Sequence, residues 1–463
     1  MTPMRSTAIF PIDDPHAWKK RLLYWAAGHE LAVYLDSNGY SARPSDGVTS
    51  SHLVTTEGWE CLVAAGAVSV LETNAGQAFP SLASFREKTG NDWLFGFFGY
   101  DLKNETERLS SSHFDGVGLP DLGFFQPETV AGIRQDQLEI HTLRQPPEEV
   151  FQHIALVVFP ENAQKEVEKI RLQPRIPKPD YLRTVEAIRQ HIIEGDVYEM
   201  NLCHEFFAEN ASISPLAVFE RLNAIGQSPF AAFLRWHDRY LLSASPERFL
   251  KKEDRRLISQ PIKGTRRRGK TAAEDDRIRQ ELAASEKDRA ENVMIVDLVR
   301  NDLARNCLPG SVRVDELFGI YSFPTVHQMI STVSGTLREK EGTGILNDTY
   351  PDLPSSLLAL RDAFPPGSMT GAPKVMAMEL IERYERTRRG LYSGAAGYFD
   401  PSGDFDFNVV IRSILYNAAD RYVSLQVGGA IVFDSAAEQE YEECLIKAEA
   451  MLRALEIPPA QES

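Results

Sequence analysis

Apolar and polar positions alternate along this chain in two rhythms. Tyr181, Val185, Ile188 and Ile192 recur at the spacing of one helix face, and Gly195 follows as the stop. Further helical patterns cover 273–286 and 288–304, another has Pro373 near its first turn, and a last one spans 435–455. Short apolar runs bounded by turn residues predict strands at 31–35, 197–207, 239–244, 326–338, 392–399, 406–417 and 421–433. A hairpin carries Arg248-Phe249-Leu250 back to Leu257-Ile258. Turns such as Asp400-Pro401-Ser402-Gly403 are short, and parallel crossovers need a dozen or more residues, so the pairing must be antiparallel. The aromatic stretch from Trp93 to Tyr100 reads as a strand in which Gly96 and Gly99 mark close backbone approach or a bulge. Residues 1–165 form a first, mixed unit and 181–455 a second. A linker at 166–180 joins them, its prolines Pro174, Pro177 and Pro179 breaking regular structure.

Composition narrows the classes. With 43% hydrophobic and 25% charged residues among 463, the chain is globular, and no apolar run approaches the ~20 residues of a membrane span. No apolar stretch follows the single Arg at the start, so no secretory signal is expected. Cys61, Cys203, Cys307 and Cys444 stand far apart without a CxxC, which predicts free thiols and a cytoplasmic protein. Fifty basic against 66 acidic residues leave a net charge of −16, which excludes a dedicated nucleic-acid binder. An anionic small ligand stays open, because only local charge matters to it. No GxGxxG follows a strand and no phosphate-binding Walker loop occurs, so dinucleotide and nucleotide folds are excluded.

Candidate chemistry gathers in the second unit. Asp288 and Glu291 stand three apart on one predicted helix, Glu440 and Glu443 three apart on another. Each pair is either a solvated acidic face or half of an oxygen cage suited to Mg²⁺. The first pair opens the run Val293–Val299, too apolar for a solvated surface helix, so its carboxylates need a partner. Lys263, between Ile262 and Gly264 at a strand end, is either a solvent-facing lysine or a nucleophile whose ammonium is disfavoured by burial or by neighbouring cations. Arg266-Arg267-Arg268 reads as surface with at most one ion pair. Glu247 becomes a general acid if burial raises its pKa; otherwise it pairs with adjacent Arg248. His327, in a strand, reads as a satisfied core histidine. Arg412 interrupts the apolar strand Val409–Leu415 and calls for a carboxylate partner, a bound one included. Gly428-Gly429 either offers backbone N–H groups to an anion or lets a strand bend.

Taken together, Pro-Ile-Lys-Gly-Thr at 261–265, Arg289-Ala290-Glu291-Asn292, Arg300-Asn301-Asp302-Leu303, Gly371-Ala372-Pro373-Lys374 and Tyr392-Ser393-Gly394-Ala395 resemble the chorismate-utilising enzymes. That family includes anthranilate, isochorismate and salicylate synthases and component I of aminodeoxychorismate synthase. The match is dense over 180–455 and weaker before 165. It implies an α+β composite fold, antiparallel sheets packed as a sandwich with helices outside. Anthranilate synthases are similar here but carry Ala where Lys263 stands, so the resemblance points to the aminodeoxychorismate-forming branch. It implies that the Lys263 amine attacks C2 of chorismate as the C4 hydroxyl leaves, and that ammonia then adds at C4 and expels the lysine, on the route to 4-aminobenzoate and folate.

The same resemblance assigns Glu247 as the general acid, Glu291 and Glu443 as Mg²⁺ ligands with Asp288 and Glu440 close by, and Arg412 and Tyr392 as binders of the pyruvyl carboxylate. His327, Thr370, Lys447 and the Gly428-Gly429 backbone line the pocket in this reading. Leu35-Asp36-Ser37 resembles a segment that borders a tryptophan site in relatives. Glu199 departs from a usual Gln but touches no role so assigned, and Ala430 replaces a third glycine near the substrate carboxylate. No Gly-x-Cys-x-Gly surrounds any cysteine, so ammonia is expected from a separate glutamine amidotransferase subunit. Alternatives are anthranilate or isochorismate synthesis, and a catalytically silent subunit that binds chorismate or tryptophan. The acidic excess itself predicts a metal requirement for a dianionic substrate.

Overall fold

Alternate residues of single strands enter different cores. In Leu31–Asp36, Leu31 and Val33 join one cluster while Ala32 and Tyr34 join another; in Cys61–Thr73, Leu62 and Ala64 part from Cys61, Val63 and Ala65 in the same way. A strand with both faces buried needs a layer on each side. The computed structural model, which describes residues 4–40, 58–159, 170–339 and 352–457, supplies them. Twenty strands there form one network of antiparallel ladders. The resulting α+β architecture has one core inside the folded-over sheet. The other lies between the sheet and helices such as Pro15–Ala27, Lys178–Glu194 and Ala437–Ala454.

Two long strands carry the sheet from one layer to the other. Leu122–Arg134 pairs with Cys61–Thr73 along its length, with Leu94–Phe98 at its start and with Gln137–Thr142 at its end. Leu94–Phe98 then pairs with Ala395–Phe399, so segments from before and after the 166–180 stretch share one ladder. Gly96 is required there: a Cβ would stand 1.9 Å from the Gly123 carbonyl oxygen. Residues 166–169 of the expected linker lie outside the described residues, and Lys178–Glu194 already begins inside it.

Most expected elements recur within a few residues, among them the helices Ala272–Ala284 and Glu286–Ala304 and the strand Val326–Thr336. The expected strand at 406–417 is instead two, Phe405–Val409 and Ser413–Asn417. Arg412 between them has a left-handed φ of 51°, which no ladder residue can hold.

One buried group makes the fold sensitive to acid. His204 is packed among the rings of Tyr181, Phe206 and Tyr441, and neither ring nitrogen has a hydrogen bond among the described residues. Burial alone pulls its pKa down to about 4. An unfolded chain takes up this proton below about pH 6.5, whereas the folded one refuses it until about 4. Stability is therefore full above 6.5 and lost as pH falls toward 4, by about 3 kcal/mol from this group. Urea unfolding at pH 7 and 4.5 should show that loss, and His204→Phe should remove most of it.

Candidate active site

The expected nucleophile sits on a bulge. Strand Ile262–Arg267 pairs with Val326–Thr336, but the register slips between Ile262 and Thr265, leaving Lys263 and Gly264 outside the ladder. Gly264 has φ +87°, and a Cβ there would meet the Asp288 side chain at 3.0 Å. Glycine is thus needed twice, for the left-handed turn and for the approach of the acidic helix Glu286–Ala304. Lys263 opens into a cleft of about 660 Å³ that Glu247, Glu291, Glu443, Tyr392 and Arg412 also line.

Lys263 differs electrostatically from its expectation. The three arginines that follow are exposed, as expected, but each holds an ion pair rather than one at most, Arg266 with Asp288, Arg267 with Glu449 and Arg268 with Asp275, so they do not act as bare cations on the lysine. Its Nζ instead donates to Glu199 Oε1. Burial works to lower the lysine pKa, but Glu199, Glu291 and Glu247 outweigh it and hold the group above its ordinary value. The resting side chain is an ammonium. Glu199, which the sequence reading left without a role, is thus the lysine's direct partner, and it is fully buried. A carboxylate in the apolar stretch Val197–Leu202 was the available signal, the same one that singled out Arg412.

Glu247 is buried and does not pair with Arg248, which forms a two-pronged bridge to Asp406 at 2.9 Å. Burial raises the Glu247 carboxyl to about 7, against a hydrogen bond from Ser368 and the charge of Lys263. Ser368 is a second residue that no sequence motif disclosed; it stands in the Gly367–Met369 turn opposite Glu247.

The two acidic helices face the cleft from one side. Burial raises Glu291 to about 7, with Glu199 adding to the rise and Lys263 and Lys287 opposing it. At Glu443 burial is outweighed by Lys447, Lys287 and Lys263, and the pKa is lowered. Lys447 Nζ lies 2.6 Å from Glu443 and also donates to the Gly428 carbonyl at 2.7 Å. Asp288 accepts from Arg266 at 2.6 Å, and Glu440 accepts from Ser435 at 2.6 Å. A Cβ on Gly429 would lie 3.3 Å from Glu440 and 3.6 Å from Glu443, so this backbone passes directly under the carboxylates. Hard oxygen donors on two facing helices are the ligand type of Mg²⁺. They are not closed into a tight cluster: among the described residues only exposed Glu194 and Asp196, with half-buried His191, bring three ligand atoms within 4.8 Å of one another.

Arg412 lines the cleft with no ion pair or hydrogen bond of its guanidinium among the described residues, and burial lowers its pKa. A cation so placed is ready for an anionic ligand. Tyr392 beside it takes a contact from Cys203 Sγ at 3.7 Å. Of the expected lining groups, Gly428 and Lys447 line the cleft, while His327, Thr370 and Gly429 do not. His327 is fully buried with its nitrogens on Ser322 and Asp275, and the Thr370 hydroxyl donates to the Gly367 carbonyl at 3.1 Å.

The cleft therefore offers a lysine, a buried acid whose pKa is raised to about 7, an acidic wall and a guanidinium without an ion pair among the described residues. A family model described as chorismate binding enzyme matches residues 33–453. The chain is 43% identical over 284 residues to an aminodeoxychorismate synthase of Streptomyces griseus, an alignment covering 61% of this chain and 37% of that one. It thus spans just over a third of that relative's length. It is 36% identical to aminodeoxychorismate synthase component 1 of Salmonella typhimurium, covering 78% of this chain and 76% of the relative. The crystal structure of anthranilate synthase component I from Streptococcus pneumoniae superposes with a TM-score of 0.66 at 27% identity, covering 77% of this chain and 80% of that one.

Proposed function

Since the chain belongs to the chorismate binding enzyme family, we propose that it converts chorismate and ammonia into 4-amino-4-deoxychorismate through a covalent adduct on Lys263. The carrying observation is Lys263 on its bulge, beside a buried Glu247 whose pKa is raised to about 7. Once neutral, the lysine amine attacks C2 of the ring while Glu247 protonates the departing C4 hydroxyl, which leaves as water. Ammonia then attacks C4 and the lysine leaves C2. Arg412 takes one carboxylate of the substrate, with Tyr392 alongside.

Glu291 and Glu443, with Asp288 and Glu440 behind them, have the donor chemistry to hold Mg²⁺, which would supply positive charge for the other substrate carboxylate. Lysines 287 and 447 now partly neutralise that wall. A glutamine amidotransferase subunit is the proposed ammonia source, consistent with the component 1 name of the Salmonella relative. Four free thiols, all buried, suit the cytoplasm; no helix among the described residues is long and apolar enough to cross a membrane.

The tryptophan-site resemblance around Asp36 is best read as structural. The Asp36 carboxylate already accepts from Lys19, Tyr34, Asn223 and the Asn38 amide. Saturable heat in a calorimetric titration with tryptophan would reverse that reading.

Pure protein given chorismate, ammonium and Mg²⁺ should yield 4-amino-4-deoxychorismate, and a chelator should stop it; anthranilate as the product would sink the assignment. Arg412→Ala should raise KM for chorismate by roughly tenfold or more, the worth of a charge-assisted hydrogen bond, with a smaller change in kcat. An unchanged KM would remove Arg412 from substrate binding.

A further inference from the structure

We infer that Glu199 is the base for Lys263: it takes the ammonium proton before the lysine attacks and returns it when the lysine is released. This rests on the reading under Proposed function. The lysine rests as an ammonium, without a lone pair to give, so a proton acceptor must lie within reach of Nζ. Glu199 Oε1 accepts directly from that nitrogen. Its Oε2 is buried and has no hydrogen-bond partner among the described residues, which leaves an acceptor position of the carboxylate unused.

The other acidic groups facing the lysine have different tasks. Glu247, between strands Arg239–Ser245 and Arg248–Glu253, must keep its proton for the leaving hydroxyl. Glu291 and Glu443 come from the two acidic helices, where Lys287 and Lys447 lie against them. The Gly371-Ala372 strand, packed on the other side of Glu199, brings no charge. It fixes the position instead. Tyr198 N donates to Ala372 O at 2.7 Å, Asn201 N donates to Thr370 O at 2.8 Å, and a Cβ on Gly371 would stand 2.1 Å from the Glu199 carbonyl oxygen. That close approach gives the glycine of Gly-Ala-Pro-Lys a physical reason.

The step balances. The proton moves from Lys263 to Glu199, turning an ion pair into an amine and a carboxylic acid with no change in net charge. The amine lone pair forms the N–C2 bond, the C4–O bond breaks, and Glu247 gives the departing hydroxyl its proton. The adduct nitrogen is then a secondary ammonium. Ammonia bonds to C4 as an ammonium group while the C2–N bond breaks, Lys263 leaves as a neutral amine, Glu199 returns its proton to it, and the proton lost by the new C4 ammonium replaces the one that Glu247 gave.

The test follows adduct formation without ammonia by intact mass, in wild type and in Glu199→Gln, from pH 6.5 to 9. Glutamine keeps a hydrogen-bond acceptor but has no basicity, and the ratio of the two rates cancels the titration of Glu247 common to both. The expected ratio is about 10⁻² or lower at pH 7, the scale of a lost general base, and climbs about tenfold per unit as hydroxide takes over. A ratio that is flat with pH, whether near one or uniformly low, overturns the assignment and leaves Glu199 as scaffolding. If the wild type gains no chorismate-derived mass while acetic anhydride still labels Lys263, the enzymatic reading falls and takes this step with it. If the wild type gains the mass and only the ratio stays flat, this step alone falls.

Discussion

Lys263→Ala should abolish the chorismate adduct and reduce amination to background, and it should also lower stability. The second effect follows from what the lysine leaves behind. Glu199 is fully buried, with one oxygen on Lys263 and the other unpaired among the described residues. Removing one partner of a buried pair typically costs ~3–5 kcal/mol, because the remaining charge is uncompensated. The double variant Lys263→Ala with Glu199→Gln should therefore recover most of the thermal stability of the wild type and none of the adduct. Thermal melts and intact mass read the two effects separately. An adduct of unchanged size in Lys263→Ala would remove the lysine from the nucleophile's role. A melt equal to wild type in the single variant would show that the pair carries no folding energy.

Glu247→Gln is expected to have the next largest effect. The amide keeps the shape and neutrality of the protonated acid, so chorismate should still bind. It cannot donate a proton to a departing hydroxyl, and adduct formation should slow by about 10²–10⁴-fold, the usual contribution of general acid catalysis. The pH dependence provides the sign. Burial holds Glu247 near 7, so the protonated, active form is lost as pH rises through that value. Wild-type adduct formation should decline above about pH 7, and the variant should lack that limb. A variant with the same alkaline limb would show that another group titrates there.

How far the sequence discloses this site depends on what each residue's neighbours in the chain reveal. The acidic pairs were legible because a three-residue spacing on a helix puts both carboxylates on one face, and the helices Glu286–Ala304 and Ala437–Ala454 do present them to one cleft. Arg412 was legible because charge inside an apolar strand needs a reason. Its break of the strand was not, since a left-handed φ at arginine leaves no compositional trace. Motif resemblance alone placed His327 and Thr370 at the pocket; His327 instead engages Asp275 and Thr370 the Gly367 carbonyl. The Lys263–Glu199 pair joins positions 64 apart on different strands, a separation that no periodicity reports. The antiparallel architecture was readable from short turns, but the ladder between Leu94–Phe98 and Ala395–Phe399 was not.

That ladder also sets a schedule for biosynthesis. Phe95, Phe97 and Phe98 are fully buried in the finished sheet, with Ala395–Phe399 as one flanking strand. During translation the partner emerges nearly 300 residues later, which at ~5–20 residues per second means about 15–60 s of waiting. For that interval an apolar strand has one unpaired edge, the kind of surface that recruits other chains. The edge is closed only once residues 395–399 have been made. Slowing synthesis downstream of residue 100 should raise the aggregated fraction without any change in the sequence.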